Sequence, residues 1–413
     1  MSATAQLRIA RLASDRQVHR AFHWLHLHQP QLRRWQLEIL RIPAPPFGEG
    51  PRAEWFLHHF DELGLENPRI DSVGNALAQL DPPNQHDPSS PVILLSAHLD
   101  TVFPEVTPTE PSEAGSRIIG PGACDNASGL VALLGMIAAL RYAEIVPPVS
   151  ILFAANVGEE GEGNLRGMRH LFTDSPYAGR IAAAIALEGG GNSAVTTRAL
   201  ASRRFRVTMT GPGGHAWADA GTPNPVLLLA RSLLELQFLE NASTDRSRPR
   251  TTFNVGQFSG GTSINSIPEF ATALLDLRSS DPRQLEHAES AIRQTLDNSV
   301  ADNPVSLTLE TIGDRPGGAL PDDSSLLDTL RAVDRHLNLR TEPGLGSTDA
   351  NIPLSLGIPA MAIGAGGTGG GVHTLQEWHD PTDRTPALRR IMLTLLDTAG
   401  TASQQTDPNK FSQ

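Results

Sequence analysis

The sequence predicts an α/β catalytic domain with a helix-covered, mainly parallel sheet, interrupted by a smaller α+β domain. Three observations predict this architecture. The chain has 413 residues, more than one typical hydrophobic core accommodates. Four short segments are almost continuously apolar, and the pattern changes to alternating strands between about residues 203 and 313. We therefore place the larger, discontinuous domain at 1–202 and 314–413, and the inserted domain at 203–313.

The elements of the larger domain follow from hydrophobic patterning. Its four apolar segments are "VILLSA", "VSILFAANV", "IAAAIAL" and "IPAMAIG". Such composition is typical of strands that are buried on both faces of a parallel sheet. Upstream, "RAEWFLHHFDELGL" predicts a helix and "IDSVGNALAQL" alternates like one strand, while "NASGLVALLGMIAALRYAE" predicts an amphipathic helix after the first apolar strand.

The inserted domain has a different sequence pattern, with alternating rather than continuously apolar strands. Its predicted strands are "RRFRVTMTG", "TTFNVGQFSGG" and "ATALLDLRS", and its predicted helices are "NPVLLLARSLLELQFLE" and "QLEHAESAIRQTLDNSV". Strands combined with two helices indicate a small α+β domain. After it, "SSLLDTLRAVDRHLNL" returns to the α/β pattern.

Composition excludes several classes of partner. The formal net charge of −12 argues against nucleic-acid binding, which needs a concentrated basic surface. No segment reaches the ~18 consecutive apolar residues of a membrane span, and the N-terminus lacks a secretory apolar core. The single cysteine, Cys124, excludes an internal disulfide and suits a reducing compartment. We therefore expect a cytoplasmic protein with no nucleic-acid or membrane partner.

Polar residues cluster where the predicted strands end. In open α/β sheets, ligands bind beyond the carboxyl ends of the strands. Imidazole and carboxylate side chains occupy these positions: His98 and Asp100, Glu159 and Glu160, Glu188, His373, and Asp125 at the start of the helix after the first strand. These residue types include the ligands that a divalent metal ion takes in proteins.

Each of these residues also has a simpler interpretation. A histidine at a strand end is more often solvated than metal-bound, and Asp125 could serve only as a helix N-cap. The acids of "GEEGEG" could lie in a solvated loop. However, adjacent carboxylates after a buried strand repel one another unless positive charge lies between them. The joint pattern therefore favours a metal site.

Seven segments together resemble one known family. They are "SAHLDTV", "GPGACDNASG", "NVGEEGEG", "ALEGGG", "GPGGHAW", "GGTSINSIPE" and "GVHTLQEW". In this order, over about residues 35 to 400, they resemble the M20 family of dinuclear zinc peptidases and amidohydrolases. That family includes tripeptidases, carboxypeptidase G, aminoacylase, and the acetylornithine and succinyl-diaminopimelate deacylases.

The resemblance implies two metal ions and assigns their ligands. One ion is expected to bind His98, Asp125 and Glu188, and the other Asp125, Glu160 and His373. Asp125 would then bridge the two ions. Zinc is the expected metal, with cobalt or manganese as alternatives.

The resemblance also implies roles around the metals. Glu159 would be the general base, and Asp100 would orient the His98 ring. In the inserted domain, expected to be a lid that forms a homodimer, His215 matches a histidine that reaches across the dimer toward the substrate carbonyl. Asn265 matches an asparagine that contacts the substrate, and Arg278 an arginine that binds its carboxylate.

The expected activity is that of a metallopeptidase of the aminopeptidase type. A water bridging the two metal ions, with Glu159 as general base, would hydrolyse an amide bond in a short peptide. The alternative is an N-acyl-amino-acid amidohydrolase. Glu188 hints at it, because deacylases of the family tend to have glutamate at that position. A metal-free binding protein on the same scaffold is the third possibility, and bound metal would exclude it. For Cys124 we expect packing rather than metal binding.

Overall fold

The computed structural model describes residues 2–83, 89–237, 239, 249–341 and 343–405. Its helices are α1 (Ala3–Ser14), α2 (Arg16–Leu27), α3 (Gln29–Leu40), α4 (Gly50–Glu62), α5 (Ala127–Ala143), α6 (Arg166–Thr173), α7 (Pro225–Glu235), α8 (Pro282–Val300), α9 (Ser325–His336), α10 (Asn351–Ser355) and α11 (Thr385–Gln405). Its strands are β1 (Glu66–Ile70), β2 (Ala76–Leu80), β3 (Val92–His98), β4 (Ser112–Ala114), β5 (Arg117–Ile119), β6 (Ser150–Asn156), β7 (Ile181–Leu187), β8 (Val195–Ala199), β9 (Ala201–Thr210), β10 (Gly214–His215), β11 (Thr251–Gly260), β12 (Ser266–Ile267), β13 (Phe270–Ser279), β14 (Ser306–Arg315), β15 (Gly318–Ala319), β16 (Gly344–Gly346), β17 (Ala360–Ile363), β18 (Thr368–Gly370) and β19 (Trp378–Asp380).

The chain divides into two compact units. The first comprises residues 1–198 and 319–413, and the second comprises residues 199–318. The first is built around a sheet with strand order β1-β2-β6-β3-β7-β17-β8-β15, and β16 pairs with β8. Its central pairs β6–β3, β3–β7 and β7–β17 are parallel. The predicted α/β class with a mainly parallel, helix-covered sheet is confirmed.

Helix α5 differs from its prediction in one respect. Patterning favoured an amphipathic helix, but every residue from Ala127 to Leu140 is buried. One part of its surface packs on β3 and β7, and other parts contact α2, α3 and α11. A helix that is buried on every side has apolar residues on every side. This explains why α5 has no polar face.

The segment "IDSVGNALAQL", predicted as one strand, contains a turn. Strands β1 and β2 pair antiparallel, with Ile70 opposite Ala76. Between them, Oδ1 of Asp71 accepts hydrogen bonds from the backbone N–H groups of Val73, Gly74 and Asn75. The aspartate thus satisfies the turn's backbone donors, which a pattern of alternating hydrophobicity does not indicate.

A second, small sheet of the first unit carries the last predicted ligand. Its strand order is β18-β19-β5-β4. Strands β18 and β19 pair antiparallel, with Gly370 opposite Trp378, so residues 371–377 form the loop between them. His373 lies in this loop with a φ of 64°, a left-handed conformation that non-glycine residues adopt rarely.

The second unit is a four-stranded antiparallel sheet packed on two helices. Its strand order is β11-β13-β9-β14, and α7 and α8 contact the sheet and each other. Alternate residues of β9, such as Phe205, Val207 and Met209, are buried in its core. Strand β14 was not predicted, because much of its surface is exposed and polar. β14 continues to Arg315, past residue 313, the predicted end of the inserted domain.

Within the described part of the chain, no helix is both long enough and apolar enough to cross a membrane. The cytoplasmic location expected from the sequence stays a prediction.

Candidate metal centre

The predicted ligands of the first unit lie where its parallel strands end. His98 is the last residue of β3 and is paired with Asn156, the last residue of β6. The β3–β7 register pairs Ser96 with Ala186, so two residues further Glu188 is level with His98. The topology thus places three chain segments at one edge of the sheet, as expected from their apolar patterning.

Asp100 ties two of these segments together. Its Oδ1 accepts a hydrogen bond from the backbone N–H of Glu159 at 3.0 Å, and its Oδ2 accepts one from Glu160 at 2.7 Å. Nδ1 of His98 lies 3.0 Å from the Asp100 carbonyl oxygen and 3.5 Å from its Oδ1. The buried carboxylate therefore fixes the acidic turn after β6 as well as facing the histidine ring.

Asn126, rather than Asp125, caps helix α5. Its Oδ1 accepts from the backbone N–H groups of Gly129 and Gly189, and its Nδ2 donates to the Leu187 carbonyl. The cap thereby joins the start of α5 to the segment that carries Glu188. The simpler interpretation of Asp125 as only an N-cap is wrong, and the Asp125 carboxylate is available to the centre.

The Asp125 carboxylate faces two histidines. Its Oδ1 lies 3.0 Å from Nε2 of His98, and its Oδ2 lies 3.3 Å from Nε2 of His373. Nε2 of His98 is also 3.4 Å from Oε1 of Glu188, and Nε2 of His373 is 3.0 Å from Oε1 of Glu160. These contacts form two triads that share Asp125, the same grouping that the resemblance implied.

The charges at this centre depend on one another. Burial lowers the pKa of His98, but the charge of Glu188 and hydrogen bonds to Asp100 and Asp125 raise it well above its usual value. Hydrogen bonding to Asp125 contributes most to raising the pKa of His373 to about 9. Burial raises the pKa of Glu188 to about 7, against the opposing charge of His98. The carboxylates therefore require positive charge between them, which protonated imidazoles or cations can supply.

The donor set fits divalent metal ions. Ligand atoms of His98, Asp125 and Glu160 all lie within 4.8 Å of one another. Oε2 of Glu188 is buried and accepts no hydrogen bond from the described residues, although its side chain is 24% exposed. A buried carboxylate oxygen without a donor needs another partner, and a cation would satisfy it. Imidazole nitrogen and carboxylate oxygen are the ligands that zinc takes.

Sequence patterning missed three buried charged residues beside the centre. Glu377 accepts hydrogen bonds from the backbone of Asp125 and of His373. Asp349 accepts one from Nδ2 of Asn156 at 2.8 Å. Arg52 donates to the Leu99 carbonyl at 2.6 Å and so holds the loop after β3. Only the position of Glu377, four residues after His373 in "GVHTLQEW", gave a signal in the sequence.

A glycine-lined cleft opens beside the centre. It has a volume of about 480 Å³ and is lined by Cys124, Asp125, Glu188, Gly189, Gly190, Gly191, Gly367, Thr368, Gly369 and Val372. A Cβ on Gly369 would lie 2.3 Å from Sγ of Cys124, so only glycine fits there. Sγ of Cys124 accepts a hydrogen bond from the Gly190 N–H, and burial raises the pKa of this thiol to about 12. These contacts support the packing role expected of Cys124.

The buried, neutral His379 holds the backbone of the glycine-rich segment that begins at Gly366. We expect this histidine to make the stability of the protein depend on pH. The His379 ring contacts the Gln36 amide, and its Nε2 donates to the Gly366 carbonyl at 3.0 Å. Burial lowers the pKa of His379 to about 4. Between pH 7 and pH 5 the unfolded chain takes up a proton that native His379 does not. Native stability should therefore fall by about 2 kcal/mol through this group.

Urea unfolding of wild type and His379→Gln at pH 7 and pH 5 measures this effect. We expect the variant to lose about 2 kcal/mol less than wild type over this interval. The same substitution at His23, an exposed residue of α2, serves as the control and should leave the wild-type pH dependence unchanged. Parallel losses in wild type and His379→Gln would show that His379 does not contribute.

The remaining predicted residues have these positions. Glu159 is buried beside Glu160 on the turn that Asp100 fixes. In the second unit, β10 pairs with β12, and the backbone N–H of Ala216 donates to the Asn265 carbonyl, which brings His215 and Asn265 together. Arg278 lies on β13, where its Nε donates to Oδ2 of Asp276 at 2.7 Å. Their functional roles stay predictions.

A family comparison decides the affiliation. The protein-family model described as Peptidase family M20/M25/M40 matches residues 94–398 of the sequence. The chain belongs to this family. The match begins in β3 and ends in α11, so it includes all five residues of the two triads described above. M20 membership confirms the resemblance predicted from the motifs and establishes the chain as an M20-family hydrolase.

Individual M20 relatives are distant in sequence and similar in fold. A succinyl-diaminopimelate desuccinylase of Pseudomonas syringae pv. syringae is 25% identical over 353 residues, covering 79% of this chain and 88% of the relative. A tripeptidase structure from Staphylococcus aureus has a TM-score of 0.72 at 19% identity, covering 90% of this chain and 98% of its own. The YXEP protein of Bacillus subtilis, described as a dinuclear metal binding peptidase, has a TM-score of 0.66 at 15% identity, with 90% and 98% covered.

Proposed function

We propose that this M20 protein hydrolyses an amide bond in short peptides with the help of two divalent metal ions. The sharing of Asp125 carries the proposal, because one oxygen faces His98 and the other faces His373. His98, Asp125 and Glu188 would hold one ion, and Asp125, Glu160 and His373 the other. Zinc suits this donor set, with cobalt or manganese as alternatives.

The proposed chemistry divides between the cations and the protein. When bound, two divalent ions lower the pKa of a water toward about 7 and polarise the substrate carbonyl. Glu159 would take the proton of the attacking water and return it to the leaving nitrogen. Asp100 binds the backbone N–H groups of both Glu159 and Glu160. Glu159 and Glu160 therefore lie on one turn, so any movement of this turn would displace both the proposed base and a proposed metal ligand.

The glycine-lined cleft is the proposed substrate site. Its volume of about 480 Å³ lies in the range of sites for small ligands, roughly 300–1,000 Å³. Because its walls at residues 189–191 and 367–369 are largely backbone, a substrate can approach the peptide N–H and C=O groups closely. Such a wall recognises a peptide or acylamino backbone rather than a particular side chain.

Peptide cleavage and deacylation remain the two candidate activities. The tripeptidase neighbour supports peptide cleavage through fold similarity alone. The desuccinylase relative, with Glu188 in this chain, supports N-acyl-amino-acid hydrolysis as the alternative. A metal-free binding protein is disfavoured because the carboxylates of Asp125, Glu160 and Glu188 lie close together. Among the described residues, His98 and His373 are the cationic partners that contact them, and metal ions would add the further positive charge.

The second unit is proposed to complete substrate recognition. His215 and Asn265 are neighbours there, and the flanking Trp217 and Ile264 are exposed. Exposed aromatic and apolar side chains beside polar groups are typical of contact surfaces. His215 would stabilise the oxyanion, Asn265 would contact substrate, and Arg278 would bind its carboxylate.

A homodimer through the second unit is part of the proposal. Strand β11 is an edge strand, and its Val255 and Phe258 are exposed, as are Leu227 and Leu234 of α7. An apolar edge strand is a template for pairing with another chain. Light scattering should give twice the 44.2 kDa of one chain, and Phe258→Asp with Leu234→Asp should give a single chain. A wild-type mass of one chain would contradict the dimer.

Metal content and hydrolysis together test the proposed activity. Elemental analysis of the purified protein should find two divalent ions per chain. Cleavage of a tripeptide should stop after chelation and return when the metal is restored, whereas an N-acetyl amino acid should be cleaved more slowly. Faster cleavage of the N-acetyl amino acid would assign the protein as a deacylase. Protein without metal and without metal-restored activity would exclude both activities.

A further inference from the structure

Glu377 occupies a position that the proposed chemistry does not use. It directly precedes β19 and is fully buried. Its Oε1 accepts hydrogen bonds from the backbone N–H groups of Cys124 at 2.8 Å and Asp125 at 2.7 Å. Its Oε2 accepts one from the backbone N–H of His373 at 3.2 Å. One carboxylate therefore joins the backbones of two proposed metal ligands.

These two ligands come from distant parts of the chain. Asp125 precedes α5, and His373 lies in the loop between β18 and β19, where its φ is 64°. The loop is further anchored because the Glu377 carbonyl accepts a hydrogen bond from the Gly120 N–H at 2.8 Å. Without the carboxylate, the backbone of His373 loses a partner that holds it in an uncommon conformation.

The chemistry of the three donors requires a carboxylate. All three partners of Glu377 are backbone N–H groups, so both of its oxygens must accept. Glutamine offers one accepting oxygen and an NH₂ group that can only donate. If its oxygen serves Cys124 and Asp125, its NH₂ faces the N–H of His373, and that contact becomes unfavourable.

We propose that Glu377 is a positioning residue that sets the metal affinity of the triad Asp125–Glu160–His373. His373 belongs to this triad alone. Asp125 belongs to both triads, but its segment is also held by the hydrogen bonds of the adjacent Asn126 to Gly129 and Gly189. The triad His98–Asp125–Glu188 is further held on its histidine side by Asp100. Loss of the Glu377 carboxylate should therefore weaken one metal position more than the other. The inference rests on the proposed two-metal centre.

The test compares wild type with Glu377→Gln by titrating Co²⁺ into the metal-free proteins in competition with a chelator. Wild type should show two binding constants. In Glu377→Gln one of them should weaken by about 10- to 100-fold, as for other partners of metal ligands, and the other by less than about threefold. The visible absorption of Co²⁺ should change for the weakened position only.

Two further variants assign the effect. In a His373→Ala background, Glu377→Gln should change the remaining binding constant by less than about threefold, because the affected ligand is already gone. Asp397→Asn is the control for loss of a buried carboxylate. Asp397 accepts hydrogen bonds from Arg8 and Thr329 away from the metal centre, so this variant should leave both binding constants unchanged.

The outcomes separate the inference from the proposed function. Wild type that binds fewer than two ions would overturn the two-metal centre itself. Two ions in wild type with unchanged constants in Glu377→Gln, or with equal weakening of both, would overturn the positioning role while leaving the centre intact. A similar loss in Asp397→Asn would attribute the effect to general loosening of the fold, and would also overturn it.

Discussion

Glu159→Gln is expected to retain both metal ions and to lose about 10²- to 10⁴-fold in turnover, the contribution of a positioned general base. Glutamine has nearly the shape of glutamate but cannot accept a proton at neutral pH. The turn that carries residue 159 is held through its backbone by Asp100, so the substitution leaves Glu160 in place. Structure and metal binding should therefore survive the change.

The measurement pairs elemental analysis with kcat and KM for the tripeptide. We expect two ions per chain, a nearly unchanged KM and a greatly reduced kcat. Glu162→Gln is the matched control, since Glu162 lies in the same acidic segment but is exposed. It should keep wild-type turnover. Wild-type kcat in Glu159→Gln would remove Glu159 from its role as base.

Asp125→Ala is expected to abolish metal binding at both positions and, with it, hydrolysis. Each oxygen of Asp125 faces a different histidine, so one truncation removes a ligand from both triads. Removing a residue that supports a metal ligand typically lowers metal affinity by about 10- to 100-fold. Removing a ligand that both ions share should lower the affinity for each ion by more than that. Chelator competition and hydrolysis by the same preparation measure the two losses.

The isosteric variant Asp125→Asn supplies the comparison. It keeps the shape and one accepting oxygen, so it should retain at most weak binding at one position. Circular dichroism of both variants should match that of the metal-free wild type, which separates a lost ligand from a lost fold. Two ions bound with near wild-type affinity to Asp125→Ala would refute the bridging assignment.

The sequence reveals those parts of the protein that repeat a local pattern. Apolar strands such as β3 and β7 were readable, and parallel pairing then places His98 and Glu188 at one edge of the sheet. Asp125 was ambiguous, because a polar residue before a helix can either cap it or point elsewhere. Only the contacts of Asn126 show which residue caps the helix.

Features that depend on long-range contacts were not readable. The spacing of Glu377 from His373 was visible in the sequence, but its contacts were not, because its backbone donors at residues 124 and 125 lie about 250 residues earlier in the chain. The turn at Asp71 interrupts an alternating pattern through side chain to backbone hydrogen bonds. The apolar surface of α5 was misread because burial by α2 and α3 is a tertiary property.

The discontinuous first unit has a consequence for synthesis on the ribosome. Strand β8 precedes the inserted unit, yet it pairs with β17 and β16, which follow residue 318. The second unit is continuous in sequence and can fold while the chain is still emerging, whereas the central sheet must wait for its late strands. His373 and Glu377 emerge later still, so the nascent chain cannot complete the proposed triad Asp125–Glu160–His373 until this segment has been synthesised.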